Sequence, residues 1–152
     1  MKHLLTKSLC AVLFTLMTVA GFSQNLQTKK PALFGKLPGT IKCTAAELSK
    51  YFAVVQGQST DLSFDNSFKA KGVVANKVVK FQNLETLTIK LPEFNNAIFG
   101  LSKRLDENKN IVYSGRIINP ANSDAFELKK IDANNYQLVK INLEDILQDC
   151  AH

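Results

Sequence analysis

Tryptophan is absent from this 152-residue chain, and histidine occurs only twice, as His3 and His152. Imidazole is the side chain best suited to proton transfer near neutral pH. One histidine sits in a leader-like N-terminus and the other is the last residue. A Ser-His-Asp or Cys-His arrangement is therefore not expected. Cysteine is also scarce, with three residues and no C-x-x-C pair. Zinc sites that need three or four His and Cys ligands have too few donors here. Neither G-x-G-x-x-G, nor G-x-x-x-x-G-K-[ST], nor H-E-x-x-H occurs, so nucleotide and metalloprotease chemistry find no motif. No metal and no cofactor is expected.

What is present first is an export pattern. Lys2, His3 and Lys7 make a cationic start, Ser8–Ala20 is apolar, and Gly21-Phe22-Ser23 places small residues where a signal peptidase reads. The apolar run is short for a membrane span, which needs about 20 residues. Cys10 lies inside that run, which argues against a lipoprotein junction. Residues 1–23 are thus expected to be a cleaved secretory signal, with no transmembrane span left after cleavage. Two of the 19 basic residues and none of the 13 acidic ones go with it, so the charge falls from +6 to +4. The expected destination is the periplasm or the cell exterior. The Gly-Phe-Ser-Gln junction and the Asn- and Lys-rich chain behind it resemble small secreted proteins of bacteria, a likeness of style that brings no functional residue with it.

Behind the leader, residues 24–40 read as an arm or linker, with a Pro38-Gly39 turn signal and Leu33, Phe34 and Leu37 between polar residues. Residues 41–152 read as one β-rich domain. Cys43 and Cys150 remain after export into an oxidising compartment, so a disulfide between them is expected. They stand 107 positions apart, and closing so long a loop contributes at most ~4.7 kcal/mol. Two free buried thiols, or an inter-chain bridge, are the alternatives. Thr44-Ala45-Ala46-Glu47 is a capping box, and Ala45, Leu48, Phe52 and Val55 follow at helical spacing until Gly57. A short C-terminal helix is expected after Asn142, with Leu143, Ile146, Leu147 and Cys150 on one stripe.

Between these helices the pattern is β. Phe68, Ala70, Gly72 and Val74 alternate with Lys69 and Lys71, and Asn76 is expected to turn the chain into Lys77–Phe81. Leu87, Ile89 and Leu91 share a face, as do Phe99 and Leu101, and Ile111, Tyr113 and Ile117. Asp132-Ala133-Asn134-Asn135 is a hairpin signal between Ala125–Ile131 and Tyr136–Ile141. Val78-Val79 and Ile117-Ile118 break the alternation and predict burial on both faces. The expected fold is mostly β: an antiparallel meander of six or seven strands, as a small sandwich or partly open barrel, with one N-terminal helix and one short C-terminal helix.

Two chemistries remain open. Among the carboxylates, Glu85, Glu93, Asp124 and Glu127 fall outside simple turns, and a carboxylate-dependent hydrolase needs only two, facing each other across a cleft. Asp106–Asn110 does not match a twelve-residue calcium loop and reads as a solvated turn. Among the cations, Lys69, Lys71, Lys90, Arg104, Arg116 and Lys129 occupy outward strand positions. On neighbouring strands they would merge into one positive patch for an anionic ligand; the plainer alternative is scattered solvated lysines that discourage edge pairing. No nucleic-acid motif is present, and no nucleic-acid partner is expected. The expected function is a non-catalytic exported binding domain for an unknown protein or an anionic surface ligand. An inhibitor or immunity-type partner protein and the small hydrolase are the alternatives.

Overall fold

The computed structural model describes residues 29–148, with side chains described as far as residue 145. Eight strands follow one another as β1 (Thr40–Thr44), β2 (Ser59–Phe64), β3 (Phe68–Lys80), β4 (Leu84–Leu91), β5 (Ala97–Leu105), β6 (Ile111–Ile118), β7 (Asp124–Lys130) and β8 (Asn135–Asn142). Helix α1 (Ala45–Tyr51) joins β1 to β2, a 3-10 turn covers Pro92–Phe94, and helix α2 (Leu143–Gln148) follows β8. Every pairing is antiparallel, in the order β1-β8-β7-β6-β5-β4-β3-β2. β1 and β2, at the two ends of that order, meet without a pairing register, so the sheet curls into a nearly closed barrel. The expected β meander with two small helices is the fold.

Local rules build much of it. Thr44 caps α1: its hydroxyl accepts from the Glu47 amide at 3.2 Å, and the Glu47 carboxylate accepts from the Thr44 amide at 2.7 Å. The helix ends earlier than its apolar spacing suggests. Ala53 and Val54 donate three residues back, which tightens the last turn, and Val55 is 60% exposed rather than on a buried stripe. Gly57, at φ 87°, then turns the chain into β2.

Asn76 does not turn the chain. β3 runs straight through it with one register shift between Val74 and Asn76, a bulge at Ala75. Before the bulge Phe68, Ala70, Gly72 and Val74 face inward; after it Lys77 takes the inward position opposite Leu87. Val79, two residues on and opposite Glu85, takes the same inward face, but it lies past the end of the packed core and is 70% exposed where burial was expected. β1 and β2 add two strands that were not anticipated.

The interior is solid. Phe34, Phe64, Phe68, Phe99, Phe126 and Tyr136 are all fully buried; Phe34 meets Phe126, Phe64 meets Phe68 and Phe99, and Tyr136 meets Tyr113, at ring-centroid distances of 5.2–6.0 Å. Gly115 lets β5 and β6 approach closely, since a Cβ there would lie 2.5 Å from the Gly100 carbonyl oxygen.

Candidate functional site

Both ends of the barrel are stoppered by a segment carrying a phenylalanine, and inward-facing lysines fasten both. At the first end, the segment before β1 folds under the barrel and buries Phe34 between Phe94 and Phe126. The Asp124 carboxylate accepts from the Leu33 and Phe34 amides at 2.6 and 2.9 Å. Lys140 points inward on the face of Tyr136 and Leu138, donates to the Phe34 and Leu37 carbonyls at 2.8 and 2.6 Å, and stands over the Phe126 ring. Asn122 donates to the Pro31 carbonyl at 3.0 Å. This segment is therefore part of the core rather than a linker.

At the second end α1 supplies the stopper. Leu48, Tyr51 and Phe52 are buried, Phe52 against Tyr113. Lys77 donates to the Phe52 carbonyl, where the helix presents its unpaired carbonyls and negative dipole end. Lys103 lies 4.9 Å above the Phe52 ring. Between the two lysines sits Glu85, 3.3 Å from Lys77 and 2.5 Å from Lys103. Partial burial works to raise the Glu85 pKa, but the bonds and charges of Lys103 and Lys77 outweigh it and hold the carboxyl below its ordinary range. Burial pushes the Tyr113 phenol up, against the pull of Lys103.

Above this charged floor the strands overshoot the core. Val79, Leu105 and Ile111 continue the inward-facing register of Glu85, Lys103 and Tyr113, yet no stopper reaches them and they are exposed. With Glu85, Lys103 and Arg104 they line an open concavity of about 300 Å³. Beside it the β3–β4 turn lifts Phe81 to 82% exposure at φ 59°, a left-handed conformation that a bulky side chain adopts at a cost of about 1–3 kcal/mol. Lys80, Leu84 and Arg104 form one outward cross-strand row under that turn. This lip, apolar on its inner side and cationic below and behind, is the candidate site. A larger cleft of about 620 Å³ opens between β1 and the β7–β8 hairpin. Its three acids are already engaged: Glu47 in the α1 cap, Asp65 by the Asn66 amide, and Asp132 by the Asn134 and Asn135 amides.

The six anticipated cations fall into separate places. Lys69 and Lys71 stand on β3 opposite Ser63 and Asp61, with Lys90 nearby on β4. Arg116 and Lys129 share one carboxylate, Glu127, from β6 and β7. Arg104 alone lies at the lip. Lys77 and Lys103 were overlooked. Lys103 was legible, because the alternation Phe99-Leu101 continues to it; Lys77 was not, because its direction depends on the bulge.

The four carboxylates are likewise dispersed. Glu85 lies between two lysines, Asp124 binds the segment before β1, Glu127 pairs with Arg116 and Lys129, and Glu93 is exposed in the 3-10 turn. Asp106 accepts from the Asn108 and Asn110 amides at 2.9 and 2.8 Å, a self-contained turn. Among the described residues no His, Cys, Asp and Glu side chains gather in threes as a metal ion requires. Among them also, no helix is long and apolar enough to cross a membrane. Cys43 is buried on β1, and burial, with a smaller contribution from Glu47, pushes its thiol up to about 12. Its expected partner, Cys150, lies outside the described residues, as does the expected signal segment.

Comparison of the chain with known protein families, with curated proteins and with solved structures found no match.

Proposed function

We propose that this is an exported, non-catalytic contact domain that engages its partner through the lip formed by the β3–β4 and β5–β6 turns. One observation carries the proposal. The barrel interior is filled and stoppered at both ends, while Phe81, Val79, Leu105 and Ile111 are left in solvent at one of them. A side chain as large as Phe81, raised on a strained turn, gains nothing from the core and is suited to burial against something else. Export is supported by the three-zone pattern of residues 1–23.

The test is affinity capture from the native envelope or culture medium, with mass spectrometry of what is retained. The expected result is a component held by the native protein and lost with Phe81→Asp. Turnover of a substrate abolished by a single Asp or Glu substitution would overturn the proposal in favour of the hydrolase.

A further inference from the structure

The chemistry of the lip points to a particular partner. Val79, Leu105 and Ile111 present apolar surface along the mouth of the concavity, and Phe81 is exposed beside it in the β3–β4 turn. A protruding aromatic beside a ring of cations is the arrangement that inserts into the boundary between lipid headgroups and acyl chains. Lys80 and Arg104 occupy the row directly behind Phe81, and Lys109 and Lys130 stand at the neighbouring turns. Including Lys77 and Lys103, the three turns at this end and the strand residues beside them hold six cations against four carboxylates, Glu85, Asp106, Glu107 and Asp132, and α1 adds one of each, Lys50 and Glu47. Three of those carboxylates are bound by local partners: Glu85 by the two lysines, Asp106 and Asp132 by the amides of their own turns. The long side chains of Lys80 and Arg104 can lie along apolar surface while their charges reach headgroup phosphates.

We infer that the lip docks on an anionic lipid surface, with Phe81 entering the interface and Lys80 and Arg104 pairing with headgroup phosphates. This rests on the contact function proposed above and commits it to lipid.

The chain without its leader is mixed with vesicles of phosphatidylcholine alone or of phosphatidylcholine with phosphatidylglycerol, and bound protein is measured by sedimentation. Binding is expected to the second kind only, and to weaken as salt is raised. Phe81→Asp is expected to lower vesicle affinity about tenfold or more, and the Lys80→Glu, Arg104→Glu pair to abolish the preference for phosphatidylglycerol. Both sites are exposed, and a far-UV spectrum checks that each variant folds. Because the chain has no tryptophan, Phe81→Trp supplies a lone indole whose emission moves to the blue on insertion. The inference is overturned if phosphatidylglycerol vesicles do not retain the protein at low salt, or retain Phe81→Asp equally. It is also overturned if the lip proves to hold a second copy, seen as self-association that Phe81→Asp abolishes. Absence of vesicle binding together with capture of a protein through Phe81 sinks the lipid partner and leaves the contact function standing. Absence of both sinks the two together.

Discussion

Asp124→Asn probes the first stopper with little change of shape. The native carboxylate accepts from two main-chain amides, Leu33 and Phe34, in a site where Asp124 itself is only 8% exposed. An amide side chain keeps one acceptor oxygen and turns an NH₂ group toward the other main-chain N–H. One buried donor then loses its partner, at about 1–3 kcal/mol, and the surviving bond loses its charge assistance, about 1 kcal/mol more. The expected total is about 2–4 kcal/mol, which for a domain of this size corresponds to a melting temperature lower by roughly 5–15 °C. Phe34→Ala, emptying a fully buried site between two rings, is expected to cost about 3–5 kcal/mol. The two losses should not add. Once Phe34 is gone the segment before β1 is loosely held, and Asp124 has less to lose, so the double variant should fall short of the sum by about 1 kcal/mol or more. Urea unfolding followed by far-UV circular dichroism measures all four proteins. An Asp124→Asn cost within about 0.5 kcal/mol, or strict additivity with Phe34→Ala, would refute the idea that this segment is latched into the core.

Three further outcomes concern other parts of the barrel. Glu85 has a pKa held below the ordinary glutamate value of about 4.5, so it stabilises the fold at neutral pH and loses that contribution as pH falls below about 4.5 through its lowered folded value; thermal melts between pH 7 and pH 3 should show a shallower acid loss in Glu85→Gln than in the native protein. Gly115→Ala drives a Cβ to 2.5 Å from a backbone carbonyl oxygen, which cannot swing aside as a side chain would, and should cost about 1–3 kcal/mol in urea unfolding. Counting thiols in the unfolded, unreduced protein decides the expected bridge, none being found if Cys43 and Cys150 are joined and two if they are not; a free Cys43, buried and with its thiol pushed up to about 12, reacts with a thiol reagent at pH 8 only on unfolding.

How far the sequence could be read depended on the range of the interactions involved. The α1 cap was visible because Thr44 and Glu47 satisfy each other within four residues. The faces of β3, β4, β5 and β6 were visible because alternation is a property of one strand. Lys103 and Lys140 belong to those alternations too, and their inward direction was readable by extending Phe99-Leu101 and Tyr136-Leu138 by two residues. What sits above them was not, since it depends on α1 and the segment before β1 arriving from elsewhere in the chain. The bulge at Ala75 had no local signal, and it alone turns Lys77 and Val79 to the inward face, where Val79 then lies beyond the reach of the core. β1, five residues between a Pro-Gly turn and a helix cap, was too short to stand out as a strand. The separation of the six outward cations follows from strand order and register, which a single strand's pattern does not contain.

The proposed use of the lip is tested most directly by a hydrogen-exchange footprint of the protein on its captured partner or on phosphatidylglycerol vesicles, compared with the free protein. Slower exchange is predicted in the β3–β4 and β5–β6 turns, around Phe81 and from Arg104 to Ile111, with the stoppered core unchanged. Protection confined to the β1 cleft or to the face bearing Lys69, Lys71 and Lys90, with those two turns exchanging as in the free protein, would contradict it.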